Sequence, residues 1–171
     1  LFEKAIINKM PPPYILMGHS AGSHVILRVM KERPNLAQAA ITVSPMVDIY
    51  TGGAPRFILS AIAHVMRYLG LGASYIPGHG PFKDGRWGWR RKLTHDDDRF
   101  CDEDYFINNK DSRLSVGGAT YKWLFEALRS CDKLQSKGYP EAIQAPVLIL
   151  QASEDVIVDN KAQSKFAARL P

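Results

Sequence analysis

A serine with a glycine two residues to either side is the residue of this chain best suited to covalent chemistry. It stands in Gly18-His19-Ser20-Ala21-Gly22, directly after the apolar run Tyr14-Ile15-Leu16-Met17 and before a helical pattern carrying Val25, Ile26, Val29 and Met30. A serine hydroxyl is a weak nucleophile unless the backbone holds it clear of the sheet and a base lies beside it. A sharp strand-to-helix turn meets the first need, and G-x-S-x-G is its sequence signature. Without a Cβ, Gly18 and Gly22 allow a tight turn and a close approach of helix to strand. Ser20 then sits at a helix N-terminus, where the Ala21 amide and the helix dipole can meet a developing oxyanion. The competing reading is a helix-capping serine in a glycine-rich turn.

Attack by Ser20 needs an imidazole within about 3 Å of the hydroxyl. The chain has five histidines. His19 is the variable residue of the turn, beside the site but facing away from the hydroxyl. His24 lies on the following helix, His64 and His79 in the central segment, and His95 next to Asp96. Packing or surface roles are expected for all five, so the base is expected to come from outside these residues.

The elements that would position this chemistry follow from pattern. Leu1 to Met10 has helix-type apolar spacing and stops at Pro11-Pro12-Pro13. Tyr14–Met17 reads as a buried strand, and the helix after the turn ends at Pro34. Ala39–Pro45 is a second apolar run of strand length. Strand, helix, strand with short joints implies a right-handed βαβ crossover and a parallel sheet. Thr51–Pro55 reads as a linker. Beyond it, Ile58, Ile62, Val65, Met66 and Leu69 form the apolar stripe of an amphipathic helix. Gly78–Lys92 is a loop rich in Gly, Trp and Arg, and an acidic cluster runs from Asp96 to Asp104. Thr120 caps a helix with the stripe Leu124, Ala127, Leu128 and Cys131. Ala145–Gln151 resumes as a buried parallel strand. Gln151–Asp155 is the loop at its carboxyl end, and Asn160 begins a helix bearing Ala162, Phe166 and Leu170.

Composition excludes several classes. At 171 residues and 46% hydrophobic, the chain can bury a core, and its formal charge of +5 is too mild for a nucleic-acid binder. Two widely spaced cysteines argue against a disulfide scaffold and for a reducing compartment. No run of about 18 apolar residues is present. The acidic cluster has no calcium-loop spacing and reads as a solvated face, so no metal and no cofactor are expected. Trp87 and Trp89, interleaved with Arg and Lys, suit either a lipid headgroup region or ordinary cation–aromatic packing. The chain opens at Leu1 inside a helical pattern and stops at Pro171 in the wake of a helix, which reads as part of a longer protein.

Taken together, the strand, G-x-S-x-G and helix, the helical insertion, and the strand running into an acidic loop resemble the α/β-hydrolase fold. The closer resemblance is to its lysophospholipase and monoacylglycerol-lipase branch. It rests on Leu93-Thr94-His95, on Val116–Trp123 and on Val147–Asn160, and covers nearly the whole chain. The resemblance implies a parallel-sheet core at 1–49 and 139–171, with a helical cap or lid at 50–138 inserted between core strands. It implies Ser20 as nucleophile, Ala21 as an oxyanion-hole amide, and Gly18, His19 and Gly22 as the elbow. Asp155 corresponds to the triad acid, at the end of a core strand where such folds set functional side chains. Its competitors are Glu154 and Asp159, the latter a candidate cap of the last helix. In the same resemblance the catalytic histidine follows a further core strand beyond Pro171, and the second oxyanion donor lies on a loop upstream of Leu1. Ile58, Ile62 and Met66 would line an acyl-chain pocket.

The implied activity is hydrolysis of a monoacyl lipid ester through an acyl-enzyme. A cytoplasmic protein is implied, with peripheral contact at the inner membrane face and no nucleic-acid partner. The alternatives are a non-catalytic lipid-binding homologue, and a hydrolase of other esters or of peptides. Residues 1–171 alone are expected to be inactive.

Overall fold

The computed structural model describes residues 6, 9–83, 92–94 and 96–171. Three parallel strands, β1 (Ile15–His19), β2 (Ala39–Val43) and β3 (Val147–Leu150), form a sheet in the order β1-β2-β3. Ile15 pairs with Ala39 and His19 with Val43; Ala40 pairs with Val147 and Val43 with Leu150. The helices are α1 (Ala21–Glu32), α2 (Arg56–Tyr68), α3 (Asp97–Asn109), α4 (Tyr121–Gln135) and α5 (Asn160–Ala167). The described residues gather into two compact units: those up to Tyr50 with Ser130–Pro171, and Thr51–Arg129.

In the first unit the core lies on one face of the sheet. Leu27 and Met30 of α1, Ala40 of β2, Leu134 of α4, Ala162 and Phe166 of α5, and Val47 and Ile143 from loops are all buried there. Leu16, Val147 and Ile149 point into the same cluster. The opposite face differs from the expectation of strands buried on both sides. Ile15, Met17, Leu148 and Leu150 are 60%, 69%, 53% and 45% exposed. Successive strand residues point to opposite faces, and among the described residues the helices cover one of them. The strands therefore read as continuous apolar runs while burying only alternate residues.

The second unit is helical. Thr120 caps α4, its hydroxyl accepting from Trp123 N at 3.2 Å. The expected stripe is buried: Leu124 and Ala127 are 8% exposed, Leu128 1%, and Cys131, in the returning segment, 0%. The helix α2 buries Ala63, and its flank meets α4 through Arg56 Nη2, which donates to Leu128 O at 3.1 Å. The Arg67 guanidinium lies 4.8 Å over the Phe125 ring, and His64 tilts against that ring at 5.5 Å. The apolar stripe of this helix faces out, with Ile58, Ile62, Val65 and Leu69 all exposed. The small Ala63 allows close approach on one side, and the long arginines flank it, so the bulky residues turn away. The acidic cluster is the start of α3: Asp96 accepts from Arg99 N at 3.0 Å, and Asp97 and Asp98 fill the first turn, where carboxylates complement the helix dipole.

Candidate active site

The nucleophile and acid candidates lie at the carboxyl ends of β1 and β3. β1 runs on to His19, so the turn falls on Ser20 itself. Its φ of 51° and ψ of −118° put it in a conformation that non-glycine residues rarely adopt. Such a residue costs on the order of 1–3 kcal/mol and persists where its surroundings over-determine it. Here three backbone bonds do so. Ser20 N donates to Val43 O at 2.9 Å, and Ser20 O accepts from His24 N at 3.1 Å and Met46 N at 3.2 Å. The Ser20 side chain makes no capping bond to α1. Ser23, one turn on, takes the local polar duty: its hydroxyl donates to Gly18 O at 2.6 Å and accepts from Val43 N at 3.1 Å.

The two glycines are not equivalent. A Cβ on Gly18 would lie 2.7 Å from Ile26 Cδ1 and 3.0 Å from both Gly22 C and Ser23 N. A Cβ on Gly22 would meet nothing within 4 Å. The close approach of helix to strand therefore depends on Gly18, and Gly22 contributes only its backbone. Ala21 follows Ser20 as the first residue of α1, and its surface is exposed.

Beyond β3, Asp155 Oδ1 accepts from Ile157 N and Val158 N, each at 2.9 Å. That leaves Oδ2 without a hydrogen-bond partner among the described residues. Asp159 is spent on capping α5, its Oδ1 accepting from Lys161 N at 2.7 Å and Ala162 N at 3.0 Å. Glu154 is exposed. The loop after β2 is stitched to this acidic loop: Tyr50 N donates to Ile157 O at 2.9 Å, Asp159 N to Asp48 O at 3.0 Å, and Ile49 bridges Val158. Ser44, also at positive φ (42°), donates its amide to Leu150 O at 2.8 Å. The elbow and the acidic loop thus flank β2 on either side, and its own loop connects to both.

No imidazole among the described residues bonds the Ser20 hydroxyl. His19 is exposed at the end of β1. His24 is buried with both ring nitrogens engaged. In the second unit, His79 Nδ1 accepts from Ala119 N at 2.9 Å, and burial, then Lys92, holds its pKa below the usual value. His95 and the tryptophans Trp87 and Trp89 lie outside the described residues. Of the expected acyl-pocket residues, Ile58 and Ile62 are exposed and Met66 is half-buried.

Sequence reasoning missed three polar residues behind the site. Asp48 is buried, its Oδ1 accepting from Ile49 N at 2.9 Å and its Oδ2 from Gln135 Nε2 at 3.2 Å. Ser130 joins His24. Partners more than 80 residues apart leave no local pattern.

Residues 1–171 match the family model described as serine aminopeptidase, S33. The chain is 29% identical over 160 residues to a probable lysophospholipase L2 of Haemophilus influenzae, covering 91% of this chain and 48% of that protein. It is 26% identical over 161 residues to lysophospholipase L2 of Escherichia coli K12, covering 88% and 43%. The chain thus spans about half the length of the curated relatives it matches. Among solved structures it resembles a monoacylglycerol lipase of Paleococcus ferrophilus, with a TM-score of 0.68 at 20% identity over 99% of this chain and 58% of that one. It also resembles a soluble variant of monoglyceride lipase from Saccharomyces cerevisiae in complex with a substrate analog (TM-score 0.63, 18% identity, 93% and 49% coverage).

Proposed function

Because the chain belongs to the serine aminopeptidase S33 family and shares the α/β-hydrolase fold of monoacylglycerol lipases, we propose that it carries the nucleophile and acid of a lipid ester hydrolase. Ser20 attacks the ester carbonyl of a monoacyl lipid, a lysophospholipid or a monoacylglycerol. The alcohol leaves, and water then releases the fatty acid from the acyl-enzyme. The Ala21 amide is one donor to the tetrahedral oxyanion. Asp155 orients the histidine base through the carboxylate oxygen left free by its loop. The observation that carries this reading is Ser20 itself: strained, at a strand-to-helix turn, with a side chain that caps nothing. The substrate class is supported by the names of the curated relatives, both lysophospholipases.

The cap is residues 50–138, and the outward stripe of Ile58 and Ile62 with Met66 at its edge meets acyl chains, in a bound substrate or at a membrane surface. A cytoplasmic protein in peripheral contact with the inner membrane face fits this reading. Among the described residues no helix is long and apolar enough to cross a membrane. The deciding experiment incubates the full-length protein with a lysophospholipid, a monoacylglycerol and an aminopeptidase substrate. Release of fatty acid, lost in Ser20→Ala, is expected. Turnover of the peptide alone would replace the substrate class, and binding of the lipid without turnover would favour a non-catalytic homologue.

A further inference from the structure

A buried imidazole that the proposed reaction does not use lies one helical turn from the nucleophile. His24 is 4% exposed on α1. Its Nδ1 is 2.7 Å from Met46 O and its Nε2 2.6 Å from Ser130 Oγ. A carbonyl oxygen can only accept, so Nδ1 carries the proton. Burial, the largest influence, and the nearby Arg28 charge lower the imidazole pKa against the opposing Met46 bond. The ring is therefore neutral, and Nε2 accepts from the Ser130 hydroxyl. Ser130 Oγ in turn accepts from Arg28 Nη1 at 2.9 Å. Arg28 is fixed by Glu32, whose Oε1 it reaches at 2.7 Å through Nη2.

This series of bonds ends on the nucleophile. Met46, whose carbonyl the imidazole holds, donates its amide to Ser20 O, and the His24 amide donates to the same oxygen. Two of the three backbone bonds that fix the strained Ser20 peptide thus come from residues joined to each other through one imidazole. Ser130 holds the imidazole's other ring nitrogen from α4, at the residue where the chain returns to the first unit.

We propose that His24 is a positioning residue for the nucleophile: its Nδ1–H, with Nε2 held by Ser130, pins Met46 so that the Met46 amide holds Ser20 in its reactive backbone conformation. The proposal rests on Ser20 being the nucleophile, as inferred above.

The test compares His24→Leu, His24→Asn and Ser130→Ala in the full-length protein. It reads kcat and KM on a short soluble ester, the rate of Ser20 labelling by a fluorophosphonate, and the melting temperature. Asparagine places an amide N–H where Nδ1 stands; leucine fills the space and donates nothing. In His24→Leu, kcat and labelling rate are expected to fall about 10- to 100-fold with KM within about twofold, since small misplacements of a reacting group cost that much. His24→Asn is expected to return to within about threefold of the parent, and Ser130→Ala to lose about three- to tenfold. A purely packing role predicts the reverse order, with leucine tolerated better than asparagine in a buried site. Parent-like rates in His24→Leu, or Asn no better than Leu at equal melting temperature, would overturn the proposal. If His24→Leu does not fold, the same decision rests on Asn and Ser130→Ala: Ser130→Ala at parent rates overturns it. The parent protein separates the two readings. Labelling of parental Ser20 leaves only the positioning role at stake, whereas a parent that neither labels nor turns over esters removes the nucleophile and the positioning role together.

Discussion

Asp155 and Asp159 each accept two backbone amides on Oδ1, and what separates them is where those amides lie. Asp159 uses Oδ1 on two amides of α5, and Asp155 uses Oδ1 on two amides of its own loop. Asp155→Asn keeps an oxygen for those amides, so the fold is expected to survive while kcat falls about 10³- to 10⁴-fold, as when a triad acid can no longer orient its histidine. Asp159→Ala is expected to cost about 1 kcal/mol of stability through the lost cap, with kcat unchanged. Thermal melts and steady-state kinetics on the full-length protein check both; equal loss of kcat in the two variants would contradict the assignment. The elbow glycines offer a second contrast. Gly18→Ala drives a methyl into the backbone of Gly22 and Ser23 and is expected to destabilise by about 1–3 kcal/mol. Gly22→Ala enters open space and is expected to be neutral or to stabilise by about 0.4–1 kcal/mol.

At the scale of elements, α1 is held to the C-terminal end of α4 by a carboxylate. Glu32 Oε1 accepts from Arg28 Nη2, from Lys133 Nζ at 3.0 Å and from Tyr139 Oη at 2.9 Å. The Arg28 bond, followed by those of Lys133 and Tyr139, lowers its pKa from 4.5 to about 2. A carboxylate with a depressed folded pKa stabilises fully above its unfolded value and loses that contribution as pH falls through the folded one. The clasp is therefore intact above about pH 4.5 and fails toward pH 2, and solvent exposure keeps its contribution small. Glu32→Gln is expected to flatten the melting-temperature profile across that window, and a profile parallel to the parent's would contradict this. Much of the element order was legible because its signals are local: Gly18 and Ser20 at the turn, Thr120 before α4, Asp159 before α5. The helix α3 was missed because an acidic run reads as a solvated face when its role as a first turn depends on Phe100 and Ile107 being buried behind it. Periodicity marked the stripe of α2 but not its outward direction, because the pattern is the same whichever side its neighbours occupy. The His24–Ser130 and Asp48–Gln135 pairs had no local signal at all.

At the scale of the whole molecule, the described helices cover one face of the sheet and leave apolar residues of the other exposed. Among the described residues its outer edges on β1 and β3 are unpaired. Open edges and uncovered apolar faces template association. Residues 1–171 expressed alone are expected to bind a hydrophobic dye and to sediment as aggregates; a sharp cooperative melt from a monodisperse sample would contradict this. The strand order also sets a schedule during synthesis. β2 is flanked on one side by β1, which precedes it closely, and on the other by β3, and the Thr42 hydroxyl reaches the Leu148 carbonyl across 106 positions of sequence. At about 5–20 residues per second, the ribosome leaves that flank of β2 waiting for about 5–20 seconds while the whole helical insertion emerges. The insertion therefore has time to fold before the strand that closes the sheet exists. The nascent chain is most open to trapping by chaperones or by its neighbours in that interval.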